Sequence, residues 1–165
     1  MDTYIGVKIV KAKPMNRLDY NEYRGWDLPS DEDGADEGYL VEYPDGESNH
    51  KDHQGYVSWC PKEQFENANR PTDGMSFGHA IEAMRKGEKV ARLGWNGKGI
   101  YIFLIKDIDE IEATFEGKEP FELELGSFIA IDTTGLQSDN DHAPRSIVPW
   151  LASQTDMLAR DWMIV

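Results

Sequence analysis

Apolar residues in the stretch 75–101, MSFGHAIEAMRKGEKVARLGWNGKGIY, change their spacing halfway along. Phe77, Ala80, Ile81 and Met84 fall at i, i+3, i+4 and i+7, the repeat that lines one face of a helix. Ser76 stands at the N-cap position, and Gly87 stands where such a helix stops. From Lys89 the period becomes two, which predicts a strand. Asn96-Gly97 then predicts a two-residue hairpin turn, because a primed turn needs positive φ at both central residues. That turn would set Trp95 opposite Lys98 and Arg92 opposite Tyr101. Residues 100–106, IYIFLIK, are apolar on both faces, as in the middle of a sheet or at a subunit interface.

The same reading orders the remainder. Residues 4–10, YIGVKIV, predict a strand, and residues 16–24 a short helix with Leu18, Tyr20 and Tyr23 that Gly25 ends. A turn-rich acidic loop covers 26–38. Strands follow at 38–43, GYLVEY, closed by Pro44-Asp45-Gly46, and at 55–59, GYVSW, before a two-turn helix that starts at Pro61. In 107–126 carboxylates sit among alternating apolar residues, a solvated edge with a turn at Glu116-Gly117-Lys118. Then come a strand at 127–133, SFIAIDT, a polar loop at 134–148, a short helix capped by Ser153 with Asp156 three residues on, and a last strand at 158–165, LARDWMIV. No internal repeat is present. The polar, turn-rich segment 69–74 marks a boundary. The fold class is therefore α+β with two small domains. Residues 1–72 form an acidic, aromatic-rich module; residues 73–165 form an N-terminal helix followed by a mainly antiparallel sheet, with a short helix before the last strand.

Charge narrows the choice of partner. The 31 acidic and 17 basic residues leave a net charge of -14, spread over both halves of the 165 residues. A field of that sign repels phosphate backbones and anionic bilayers, so neither a nucleic acid nor a membrane is expected as partner. An anionic ligand would have to be held locally, by main-chain donors and a few placed cations. Cys60 is the single cysteine, so no intrachain disulfide framework exists, and no apolar run approaches the roughly 20 residues that span a bilayer. These features predict a cytoplasmic protein.

Metal chemistry finds little support. Asp31, Asp33 and Asp36 suggest a calcium loop, but counting from Asp31 puts Ala35 at the fifth position and Asp36 where an EF-hand needs glycine. His50, His53 and Cys60 make three zinc-type ligands without a fourth at finger spacing. No nucleophile with an arranged base is visible either. The expectation is no metal, no cofactor and no catalytic residue.

Two motifs carry a resemblance. The pattern F-G-x-A-I-E-A-M-R-x-G-x-K-V-A-R-x-G-W-N-G-K-G, starting at Phe77, and P-W-x-x-S-x-x-D-M-L-A-x-D-W at 149–162 together resemble the second Thoeris anti-defence family of phages and prophages. The resemblance implies a phage-encoded sponge that sequesters a cyclic nucleotide immune signal without catalysis. The signal would be glycocyclic ADP-ribose made by a bacterial TIR-domain enzyme, or a cyclic dinucleotide. It further implies a homo-oligomer, a tetramer in the family, with pockets between neighbouring subunits. YRGW at 23–26, DEGYLVEY at 36–43 and GYVSWCPK at 55–62 look like an uncharacterised phage module. The rival readings are an acidic nucleic-acid mimic that blocks a defence enzyme, and a phage interaction or scaffold protein.

On the resemblance, the ligand-binding set is Trp95, Asn96, Gly97, Arg92, Trp150, Ser153 and Asp156. Trp95 would stack on adenine, or pack across the hairpin beside Lys98. Pure stacking predicts that removing its ring leaves the melting temperature nearly unchanged. Asn96 and Gly97 would offer amide and main-chain donors, or only make the turn. Arg92 would meet a phosphate or a nearby carboxylate. Ser153 and Asp156 would bond ribose hydroxyls or cap their helix, while Phe77 and Trp162 are expected in the core.

Overall fold

The computed structural model describes residues 1–3, 5–113, 116–117 and 119–165. Tyr4, in the first expected strand, and Lys118, in the expected 116–118 turn, lie outside the described residues. The fold is α+β with antiparallel sheets and few helices. Contacts divide it into two compact units, Met1–Arg70 and Pro71–Val165.

In the first unit, β1 (Lys11–Pro14) leads into α1 (Arg17–Arg24), then β2 (Gly38–Tyr43), β3 (Tyr56–Pro61) and α2 (Lys62–Ala68). The three strands pair in the order β1-β2-β3. Asn16 caps α1 by accepting the Asp19 N–H. Alternation sets Leu40, Val57 and Trp59 on one sheet face, where Tyr20 and Tyr23 of α1 pack on them. Tyr39, of opposite parity, stacks on Phe65 of α2.

Of the strand expected at 4–10, the described residues 5–10 form none; among the described residues pairing begins at Lys11. β2 ends at Tyr43, immediately before its turn, and Lys11 already stands opposite Glu42. Residues 5–9 therefore have no partner strand opposite them. The strand that does form, KAKP, is exposed at all four positions, so it carries no apolar alternation to read. His50, His53 and Glu42 are tied to Tyr23: its hydroxyl lies 2.9 Å from His53 Nε2, and His53 Nδ1 lies 3.1 Å from Glu42 Oε2. They pin the 44–55 loop to α1 and to the sheet.

The second unit runs α3 (Phe77–Arg85), β4 (Val90–Arg92), β5 (Tyr101–Ile105), β6 (Ile108–Ala113), β7 (Phe121–Leu125), β8 (Phe128–Asp132), β9 (Ile147–Pro149), α4 (Gln154–Leu158) and β10 (Trp162–Ile164). Its main sheet has the order β10-β4-β5-β8-β9, with β5 in the middle as the doubly apolar sequence required. β6 and β7 form a separate two-stranded ribbon that sets Glu112 opposite Glu122. Ser76 accepts the His79 N–H and starts α3, whose Ala80, Ala83 and Met84 are buried. They pack on Val90, Ile102 and Trp162, which the register aligns on one sheet face. Each large side chain buried there stabilises the unit by about 1.5–3 kcal/mol. β9, exposed at all three positions, straddles the end of the expected 134–148 loop, and the strand expected at 158–165 is confined to Trp162–Ile164, since Leu158 still belongs to α4.

The Asn96-Gly97 hairpin is also absent. Among the described residues no non-glycine has positive φ, so Asn96 cannot occupy a primed turn, and β4 meets β5 through Val90 and Ile102 with an eight-residue loop, 93–100, between them. Tertiary contacts override the local signal. Gly99 takes φ +78, and a Cβ there would lie 2.1 Å from the Gly135 carbonyl oxygen. The Gln137 N–H donates to the Lys98 carbonyl beside it. Gly99→Ala is accordingly expected to lower the unfolding free energy by about 2 kcal/mol or more, read from the urea midpoint of the full chain.

Candidate functional site

The site grows from the register of β4 with β10. Trp162 stands opposite Arg92 and is fully buried, at 0% exposure. Around its ring stand Phe77 at 5.3 Å between centroids, Trp95 at 5.4 Å and Trp150 at 6.0 Å, the last two edge-on at 77° and 82°. Trp95 and Trp150 touch each other edge-on at 6.2 Å. The four rings come from α3, the 93–100 loop, the β9–α4 connection and β10, and edge-to-face contacts add about 0.5–1.5 kcal/mol each beyond area burial.

Asp156 fastens this cluster. Ser153 caps α4 in a complete capping box, with its hydroxyl donating to Asp156 Oδ2 at 2.6 Å and accepting the Asp156 N–H at 3.1 Å. Asp156 Oδ1 accepts from Arg92 at 2.8 Å and from the Trp95 indole N–H at 3.1 Å. The Asp156 main-chain carbonyl accepts the Trp162 indole N–H at 3.0 Å. Burial alone would raise the Asp156 carboxyl; the bonds from Ser153, Arg92 and Trp95 outweigh it and bring it down to about 2.

Arg92 is shared. Its Nε–H donates to Asp161 Oδ1 at 2.8 Å, and both Arg92 and Asp156 side chains are only 14% exposed. The bond from Arg92 holds the Asp161 carboxyl below its usual range, while the bonds to Asp161 and Asp156 hold the guanidinium above its own. One cation thus faces two anions, and the group carries a net negative charge.

The structure brings Arg92, Trp95, Ser153 and Asp156 into one bonded network, and Trp150 joins it through ring contacts with Trp95 and Trp162. Asn96 and Gly97 are not part of it. Asn96 is exposed on the loop, and a Cβ at Gly97 would meet Leu136 and Ile100 at 3.0 and 3.1 Å. Lys98, expected opposite Trp95 in a ladder, instead donates from Nζ to the Leu93 and Trp95 carbonyls at 3.0 and 3.2 Å. Arg92 does not face Tyr101; the register sums to one residue less, and its guanidinium turns to the two aspartates. Trp95 is half-buried in the cluster, so removing its ring costs packing and the bond to Asp156 as well as any ligand contact; an unchanged melting temperature is not expected. Phe77 and Trp162 are core residues as the sequence suggested.

Asp161 was missed. Its place beside Arg92 follows from the β4–β10 pairing, which one sequence does not disclose, although Asp161 lies inside the second motif. Around the network stand exposed apolar side chains, Leu93 at 64%, Leu151 at 92%, Met157 at 43% and Leu158 at 78%. Such exposure is more than an isolated surface leucine needs, and it suits an apolar ligand face or a protein partner.

Residues 75–165 match a family model described as the Thoeris anti-defense 2-like domain. The span contains every residue of the network. A relative named Thoeris anti-defense 2, from Bacillus phage SP01, is 40% identical over 94 residues, which cover 55% of this chain and 94% of the relative.

Both aspartates titrate lower in the folded chain than unfolded, so their stabilisation is complete above the ordinary carboxylate range and is lost as pH falls through their folded values, near 2 for Asp156. Melting temperature measured from about pH 5 down to about pH 2 is expected to drop steeply in the native chain and less steeply in Asp156→Asn, which starts from a lower value.

Proposed function

The chain belongs to the Thoeris anti-defense 2-like family, and from that premise we propose that its Pro71–Val165 unit sequesters a cyclic nucleotide immune signal of the host and releases it unaltered only when the protein unfolds. The signal is glycocyclic ADP-ribose made by a TIR-domain enzyme, with cyclic dinucleotides as related ligands, and the place of action is the cytoplasm of the infected bacterium. In this proposal the chain is two domains, 1–72 and 73–165, and the second assembles as a homo-oligomer, a tetramer, whose neighbouring subunits complete each pocket.

The observation that carries the reading is the pair Trp95 and Trp150, locked in place by Asp156 and Trp162 yet each only half-buried. Nanomolar capture needs about 12 kcal/mol of net binding free energy. A base stacked on one aromatic ring supplies about 1–3 kcal/mol, so two rings leave most of the requirement to hydrogen bonds and to the small ordering cost of a preformed site. Trp95 and Trp150 are the stacking surfaces of the proposal, with Asn96 and Gly97 as donors on the adjoining loop. Arg92, Ser153 and Asp156, whose polar atoms bond one another, form the frame behind them.

Absence of turnover fits the same geometry. Asp156 and Asp161 hold their charge and spend their lone pairs on Arg92, Trp95, Ser153 and Gly94, so neither is poised to take a proton from a water.

The test is to incubate the full chain with a cyclic ADP-ribose isomer from a TIR-domain enzyme, remove unbound nucleotide, denature by heat and analyse the supernatant. Intact nucleotide in stoichiometric amount is expected. A cleaved product would make the protein an enzyme, and no retention would favour the acidic-mimic or scaffold readings.

A further inference from the structure

We propose that Asp161 is a positioning residue that sets the loop presenting Trp95 and that Arg92 serves this frame rather than a ligand phosphate; the first half deepens the nucleotide-binding reading above and rests on it. Asp161 bonds three consecutive residues at the loop's root. Its Oδ1 accepts Arg92 Nε–H at 2.8 Å, its Oδ2 accepts the Gly94 N–H at 2.7 Å, and its main-chain carbonyl accepts the Leu93 N–H at 3.0 Å. Residue 95 follows at once. Its N–H turns back to the Arg92 carbonyl at 3.2 Å, and its ring is fastened at the other end by Asp156. Asp161 and Asp156 therefore hold the root and the tip of one short arm, with Arg92 bonded to both.

Local stereochemistry fits that duty. A Cβ on Gly94 would come within 2.7 Å of Asp161 Oδ2, so the carboxylate reaches the main chain because residue 94 has no side chain. Trp162 stands opposite Arg92 in the ladder, so Asp161 lies at the step where the loop leaves the sheet. A guanidinium engaged by two carboxylates at 2.8 Å has its charge more than matched before any phosphate arrives. A ligand anion would have to displace an aspartate and leave it unpaired. In this proposal the phosphates fall to main-chain N–H groups of the loop beyond residue 95, since those of residues 93 to 95 already donate to Asp161 and Arg92.

The experiment compares Asp161→Ala and Asp161→Asn in the full chain by three readouts: melting temperature, the indole N–H resonances of the five tryptophans assigned by single Trp→Phe variants, and retention of the cyclic ADP-ribose isomer. In Asp161→Ala the Trp95 indole signal is expected to shift or broaden while those of Trp26 and Trp59 stay, and retention to fall at least tenfold. Asp161→Asn, whose carboxamide oxygen can still accept from Gly94 or Arg92, should restore the Trp95 signal and bring retention to within about threefold of the native chain. A native Trp95 signal and native retention in Asp161→Ala would overturn the proposal, as would a lowered melting temperature with both unchanged. If the native chain itself retains no nucleotide, the sequestration reading fails, and the indole signal alone decides whether Asp161 positions the loop.

Discussion

One carboxylate ties the second unit together. Asp156 accepts from Ser153 in its own helix cap, from Arg92 at the end of β4 and from the Trp95 indole in the following loop, while its main-chain carbonyl takes the Trp162 indole of β10. Two stretches about sixty residues apart in sequence, 92–95 and 153–162, meet on one residue. A largely buried charge is costly unless its lone pairs are met, and meeting them here orients the Trp95 ring, while the main-chain carbonyl of the same residue holds the Trp162 ring. The helix cap is thus more than a helix end. It is the anchor from which an aromatic surface is held in one position before any ligand binds.

The electrostatics limit how that surface works. The chain carries -14, and the network adds two aspartates to one arginine. A phosphate-bearing ligand gains nothing from long-range attraction to such a protein. Capture must rely on short-range terms, on ring stacking and on hydrogen bonds within a site whose groups are already ordered. In the proposed capture, rigidity takes the role that positive charge has in many nucleotide-binding proteins. This accounts for the amount of bonding spent on the 93–100 loop, which is held at its root by Asp161, from within by Lys98 and from the side by the close approach of Gly99 to Gly135.

α1, α3 and the paired inner strands were legible in the sequence because burial writes a period into them, while α2 and α4, which bury no residue, were legible from Pro61 and from the Ser153–Asp156 cap. α3 could be drawn from Ser76 and the spacing of Ala80 and Met84, and β2 from GYLVEY. Strands without a buried face were not legible. KAKP of β1 and IVP of β9 are exposed at every position, and three or four residues without a buried face show no apolar alternation, although Ile147 and Val148 are themselves apolar. Asn96-Gly97 failed for another reason, since a turn preference worth little was overruled by the pull of Trp95 into the tryptophan cluster and by the loop's bonds to Asp161. The network was half visible. Its members stood in two motifs, but that Arg92 meets Asp156 and Asp161 depends on the pairing of β4 with β10, a fact of register that no local pattern encodes.

The central claim is that a preformed tryptophan surface framed by Asp156 receives the nucleotide. Hydrogen–deuterium exchange of the full chain with and without a cyclic ADP-ribose isomer tests it most directly. The account predicts added protection in residues 93–100 and 150–156, with residues 1–70 unchanged; protection confined to residues 1–70, or none anywhere under saturating nucleotide, would contradict it.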